Sequence, residues 1–182
     1  MAAQTLVGDV LLAQSGDHEA LDRLLRAVQL PVFRFVRATI GRGRDPEDIV
    51  QDALLLVCRK LKWLDNPEAF QAWTFQIAWR VTLRALSRAE RREMTSEEIR
   101  RFEITEEAAN MDPWLAGALH NAIAGLSPAI RPVIELHYIE GLTLTEIAAA
   151  LALPLGTVKS RLALGLKQLR AELGSRGTGR QI

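Results

Sequence analysis

The sequence predicts an all-α protein made of two small helical domains joined by a flexible acidic linker, and three observations lead there. Leucine and alanine number 28 and 25 against 10 aromatic residues, a balance that favours helix over strand. Apolar residues recur at intervals of three and four almost throughout, as in Leu21, Leu24, Leu25 and Val28, which is the pattern of amphipathic helices. The third observation is a split in charge. The 182 residues carry 23 Lys+Arg and 22 Asp+Glu for a net +1, yet residues 1–92 hold +3, residues 93–112 hold −5 and residues 113–182 hold +3. The total alone counts against a nucleic-acid binder, whereas the segments describe two basic lobes and an acidic connector.

Clusters of Gly, Pro and Asp at 41–46, 65–67, 111–113, 125–128, 140–143 and 153–154 punctuate the chain. They place helices near 17–40, 46–64, 67–91, 113–125, 128–139, 143–151 and 155–173, each with start or stop signals at its ends. Pro31 is expected to bend or split the first of these. The second opens with Asp45 as N-cap, Pro46 at the first helical position, and Glu47 and Asp48 in the first turn. Residues 10–92 then form one lobe, 93–112 the linker, 113–174 the second lobe and 175–182 a disordered tail.

Other classes are disfavoured. No run approaches about 18 apolar residues, and the opening MAAQTLVGDV lacks the features of a signal peptide, so a cytoplasmic protein without membrane insertion is expected. The single cysteine, Cys58, excludes an internal disulfide, and its LLLVCRKL setting reads as a small buried hydrophobe. His18, His120 and His137 are scattered and no phosphate-binding glycine loop occurs, so no catalytic residue, metal or cofactor is expected.

The most specific local signal is LTLTEIAAALALPLGTVKSRLALGLKQLR, residues 142–170. Thr143 and Glu146 have the spacing of a capping box. Ile147, Ala148 and Leu151 supply the buried face of a short helix. A turn through Ala152, Leu153 and Pro154 leads to a second helix beginning near Leu155 to Thr157. This is the helix-turn-helix pattern, whose second helix enters the major groove with its amino-terminal side chains on base edges. Gly156, Thr157, Lys159, Ser160 and Arg161 lie where such contacts are made, while Val158, Leu162 and Leu169 hold the helix to its core. An ordinary helical hairpin is the bland alternative.

Two further stretches carry patterned polarity. In DPEDIVQDALLLVCRKL, residues 45–61, Asp48 and Asp52 stand four apart and with Gln51 make an acidic face opposite an apolar one. That face is either simply solvated or an interaction surface. In FQAWTFQIAWRVTLRALSRAERR, residues 70–92, Phe70, Trp73, Phe75 and Trp79 interleave with Arg80, Arg84, Arg88, Arg91 and Arg92. Arg80, Arg84, Arg88 and Arg91 fall on one stripe suited to a phosphate backbone, and the aromatics either stack on unpaired bases or form core.

The order of acidic helix, aromatic and basic helix, linker and GTVKSR-type helix-turn-helix resembles the extracytoplasmic-function (ECF) sigma factors of bacterial RNA polymerase over nearly the whole chain. DPEDIVQD resembles that family's DAEDLVQE segment, FQAWTFQIA its FRAWLYRIA segment, and IELHYIEGLTLTEIAAALALPLGTVKSRL its promoter-reading domain. The resemblance implies sigma region 2 over about 10–92 and region 4 over about 113–174. It implies a subunit that is no enzyme and that directs core RNA polymerase to promoters under the control of an anti-sigma factor. The alternative is a sigma mimic, or another helix-turn-helix regulator, that titrates an anti-sigma factor without reading promoters.

By residue, the resemblance implies that Glu47, Asp48, Gln51 and Asp52 meet the β′ clamp helices, with region 4 touching the β flap. Trp63, Asp65, Asn66, Phe70, Trp73, Arg80, Arg84 and Arg88 would serve the −10 element, partly by capturing a flipped base. Thr143, Gly156, Thr157, Lys159, Ser160, Arg161, Ala163 and Lys167 would serve the −35 element. The chain also departs from the pattern. Trp79 and Arg80 stand where the family has Arg-Asn, and Leu83 and Arg84 where it has Leu-Asp. Leu164 and Leu166 replace two expected arginines, Gly165 weakens the helix interior by roughly 1 kcal/mol relative to Ala, and Ala152 replaces the usual turn glycine. Fewer phosphate contacts predict weak binding of free DNA by the second lobe. The two leucines either serve a protein partner or pack within the domain.

Overall fold

The computed structural model describes residues 2–41, 44–93, 119 and 121–177, with side chains over 6–41, 44–88, 119 and 121–173. Among them every regular element is helical. The linker expected over 93–112 overlaps this set only at Glu93, the last residue of a helix, and is otherwise outside it.

The first helix, α1 (Ala2–Gln14), was not anticipated, because the sequence offers it neither an N-cap nor a strong stripe. Tertiary contacts hold it. Val10 is fully buried, Asp9 accepts two hydrogen bonds from the Arg23 guanidinium at 3.0 and 2.6 Å, and the Gln14 amide donates to the carbonyls of Leu61 and Leu64 at 2.9 and 2.8 Å. Helix α2 (His18–Ile40) starts at Asp17, whose carboxylate accepts from the Glu19 and Ala20 amides. It is not split at Pro31. Val28 and Val32 on either side are buried, and that packing holds the helix across the hydrogen bond proline removes.

Helix α3 (Glu47–Lys60) is capped at Pro46, one residue later than expected, and the Asp45 carboxylate still accepts from the Glu47 amide at 2.9 Å. A 3-10 turn (Leu61–Trp63) ends it. After a second such turn (Pro67–Ala69), capped by the Asn66 side chain on the Glu68 amide, α4 (Phe70–Glu93) runs back through the lobe. Phe35 of α2 meets Phe75 of α4 edge to face at 5.3 Å, with Trp79 at 6.2 Å, so this aromatic set is largely core. Cys58 is half-buried, and burial pushes its thiol above the usual range, in keeping with a packing role.

The second lobe begins within the described residues at a short helix, α5 (121–124). Residues 128–130 form a turn rather than the start of the next helix, which is α6 (Arg131–Ile134) widening into a π turn (Glu135–Ile139). Helix α7 (Leu144–Leu151) carries the expected capping box: the Glu146 amide donates to the Thr143 hydroxyl at 3.3 Å and the Thr143 amide to the Glu146 carboxylate at 2.8 Å. Helix α8 (Leu155–Gly177) continues beyond 173 into the stretch expected to be a disordered tail; 178–182 are not described.

The two lobes pack on one another, which the sequence reading did not foresee. One buried cluster joins Phe35, Phe70 and Phe75 of the first lobe with Val133, Leu136, Ile147 and Leu151 of the second. Gln71 donates to the Glu140 carbonyl at 3.0 Å and Gln76 to the Ala149 carbonyl at 3.1 Å. Arg131 reaches the Ala38 carbonyl near the end of α2 at 2.6 Å, while also donating to the carbonyls of Ile123, Ala124 and Leu126. Each lobe thus completes the other's core, a natural outcome for bundles near the lower size for independent folding.

Candidate nucleic-acid interface

Helices α7 and α8 meet at 109°, within the range of DNA-binding helix-turn-helix units. Ala152 makes the turn with φ 54 and ψ 47, a left-handed conformation in which its amide reaches back to the Ala148 and Ala149 carbonyls. An L-side chain pays roughly 1 kcal/mol or more there, where glycine pays nothing. Val158 is buried and fixes the start of α8 to the core.

Gly165 has a purpose the sequence did not reveal. A Cβ at that position would lie 2.8 Å from both Ile130 and Ile134, so the bare backbone is what lets α6 and the preceding turn approach α8. The propensity cost of the glycine is exchanged for this contact.

Opposite Val158 and Gly165, Gly156, Lys159, Ser160, Ala163 and Lys167 are exposed, while Thr157 and Arg161 are half-buried. The Ser160 hydroxyl donates to the Thr157 carbonyl at 3.0 Å. Leu164, four residues beyond Ser160, is 48% exposed at the edge of this outer face; Leu166 is half-buried. Thr143 is exposed, but its hydroxyl also donates to the Glu146 carboxylate at 2.7 Å.

In the first lobe, Glu47, Asp48, Gln51 and Asp52 are all exposed on α3. Trp63 is 64% exposed at the rim, with the Lys62 ammonium 4.4 Å from its ring centroid, and Asp65 and Asn66 are exposed beside it. Phe70 requires correction: it is 1% exposed, at the heart of the shared core, and cannot stack on a base. Trp73 is half-buried against the same core, 6.4 Å from the Phe70 ring. Arg80, Arg84 and Arg88 are exposed; the side chains of Arg91 and Arg92 are outside the described set. Arg84 and Arg88 line, with Arg44, Arg59, Asp45, Asp48 and Asp52, a groove of about 860 Å³.

The fold and this interface define an all-helical regulator carrying a helix-turn-helix. Two family models match it, Sigma-70 region 2 over residues 24–92 and Sigma-70 region 4 over residues 122–171. The chain belongs to the sigma-70 family, in its ECF group, and is a non-enzymatic transcription-initiation subunit. Among its relatives, the ECF RNA polymerase sigma factor SigE of Mycolicibacterium smegmatis is 30% identical over 90% of this chain, which spans 66% of that protein's length. The ECF RNA polymerase sigma-E factor of Escherichia coli K12 is 29% identical over 88% of this chain and 91% of its own.

Solved structures share the fold. The sigma factor RpoE, crystallised with the anti-sigma factor NepR from Bartonella quintana, superposes with a TM-score of 0.70 at 23% identity, covering 84% of this chain and 96% of its own. CnrH, in complex with the cytosolic domain of CnrY, gives 0.63 at 24% identity over 94% and 98%. No single helix among the described residues is long and apolar enough to cross a membrane.

Proposed function

We propose that this chain is an alternative sigma factor that binds core RNA polymerase through α3, directs initiation at its own promoters from the cytoplasm, and is held in check by an anti-sigma factor. The observation that carries the reading is the simultaneous exposure, on one family-matched chain, of the acidic α3 face and the outer face of α8. Glu47, Asp48, Gln51 and Asp52 offer carboxylates and an amide to a basic partner on the polymerase β′ clamp helices, while region 4 meets the β flap. Residues 10–92 act as region 2 and 113–174 as region 4, divided by the acidic linker.

At the −10 element the exposed Trp63 rim, with Asp65 and Asn66, receives an unpaired base, and Arg80 lies along the strand. Phe70 and Trp73 support that rim from within. At the −35 element Gly156, Thr157, Lys159, Ser160, Arg161, Ala163 and Lys167 face the groove and Thr143 its edge. Leu164 lies on the margin of this surface without a charge to give a phosphate, so region 4 alone binds duplex DNA weakly and depends on polymerase to hold it there.

Reconstitution with core polymerase and sequencing of the transcript starts tests this. Transcripts from a defined set of promoters are expected; a folded chain that forms no complex with core overturns the reading. Leu164 favours one second reading, a mimic that titrates an anti-sigma factor. Its mark in the same experiment is a protein that yields no promoter-specific starts yet relieves inhibition of another sigma factor.

A further inference from the structure

The exposed Trp63 rim stands on a turn that a distant helix holds. With 64% of its surface in solvent, Trp63 has little side-chain packing to position its ring. The Lys62 ammonium 4.4 Å from the ring centroid rides on the same turn, so it moves with the indole rather than fixing it. Such a side chain goes where its backbone points. Leu61 and Leu64, both buried, anchor the turn from below, and the Leu64 amide closes it on the Leu61 carbonyl at 3.0 Å.

A single 3-10 turn has poor hydrogen-bond geometry of its own, and the further constraint comes from 47 residues away. Gln14, the last residue of α1, donates from its amide nitrogen to the Leu61 carbonyl at 2.9 Å and to the Leu64 carbonyl at 2.8 Å. A carboxamide nitrogen carries two hydrogens in one plane, and here each serves one end of the turn, so the two carbonyls are held in a fixed relation. The support is firm, since Val10 of α1 is fully buried and Asp9 takes the Arg23 guanidinium of α2. The next part of the rim is braced locally, by the Asn66 side chain on the Glu68 amide at 3.1 Å.

We propose that Gln14 is a positioning residue for promoter reading: by bridging the Leu61 and Leu64 carbonyls it sets the direction in which Trp63 meets an unpaired base. The inference rests on the proposed −10 role of the Trp63 rim and adds to it a residue of α1 that acts only through the turn. What matters is the pair of donors. In Gln14→Glu a side chain of the same shape turns carboxylate oxygens on two carbonyl oxygens, so the turn is pushed away instead of held. The indole projects well beyond the backbone, so a small tilt of the turn moves the ring face on which a base would stack.

Holoenzyme assembled from the full chain and core polymerase tests this on the strongest promoter found by sequencing transcript starts, prepared with each of the four bases at every non-template position of the −10 element. Trp63→Ala is expected to narrow the ratio between best and worst base at one position, which identifies the base received at the rim. Gln14→Glu is expected to narrow the ratio at that same position by about threefold or more, leaving the other positions and the affinity for core polymerase within about twofold. A residue needed only for folding would lower transcription alike on every template and leave each ratio unchanged. Circular dichroism checks that the variant is folded, and Gln14→Met, similar in size and without a donor, replaces it if it is not. If Trp63→Ala narrows a ratio and the Gln14 variant does not narrow that one, or loses core affinity in equal measure, the inference is overturned while the proposed function stands. If Trp63→Ala narrows no ratio, the −10 role of the rim fails and the inference with it. A wild-type chain that yields no promoter-specific starts overturns the proposed function and the inference together.

Discussion

Arg84 and Arg131 are each a single arginine on a helix, and the two lobes use them in opposite ways. The first lobe leaves Arg84, with Arg80 and Arg88, on its surface, where no described partner within 4.0 Å claims it. The second lobe draws Arg131 inward, spends its guanidinium on four carbonyl oxygens, and so ties the ends of α5 and α2 together. Desolvation lowers the Arg131 pKa, with Glu135 opposing it. A cation with every guanidinium nitrogen bonded to a carbonyl is structural, and one left in water is available to a partner. Counting basic residues cannot separate these cases; position does.

The sharpest way to break the comparison is Arg131→Ala. It strands several carbonyls at once and removes a lobe-to-lobe bond, so it should cost about 3 kcal/mol. At this chain length that is a fall of roughly 10 °C in Tm by calorimetry. Gly165→Ala comes next. The gain in helix propensity is smaller than the cost of forcing Ile130 and Ile134 apart, giving a net loss of about 1–2 kcal/mol in urea unfolding. Ala152→Gly has the opposite sign: relief of the left-handed strain outweighs the added freedom of the unfolded chain, and stability should rise by about 1 kcal/mol.

Glu140 sharpens the contrast on the acidic side. Its side chain is 6% exposed at the lobe junction, 4.0 Å from Arg34, and burial lifts its carboxyl above the usual range despite that arginine. The folded state therefore holds the proton more tightly than the unfolded one. The stabilisation is complete below the ordinary glutamate pKa and is lost as pH rises through the elevated folded value. Glu140→Gln should flatten this part of the Tm profile and raise Tm relative to wild type near neutrality, read as the difference between the two pH titrations. Smallest of all, Arg84→Ala should change stability by no more than about 0.5 kcal/mol, so a larger loss would show that Arg84 is not a free surface cation.

Much of this was legible in the sequence because it is local. The Thr143–Glu146 box, the start of α3 to within one residue of Asp45, and the apolar stripes of α2 and α3 each declare themselves within a few residues. Helix α1 did not, since its hold comes from Arg23 and from the carbonyls of Leu61 and Leu64, far along the chain. Phe70 shows a second limit: an aromatic at a helix start reads alike whether it stacks on a base or fills a core, and only the tertiary packing around it decides. Gly165 shows a third. Read alone it is a weak point in a helix, and only Ile130 and Ile134 give it a reason.

The 109° turn has a mechanical side. Helix α7 holds α4 through the Gln76 bond and passes its orientation, through the left-handed Ala152, to the 23 residues of α8. A helix of that length is a lever of about 34 Å. Tilting α7 by 10° at its seat on α4 would carry the far end of α8 by about 6 Å, nearly two base-pair steps at about 3.4 Å each. Over Gly156 to Lys167, the residues proposed to read DNA, the same tilt amounts to about 3 Å at most, so the amplification is greatest beyond them.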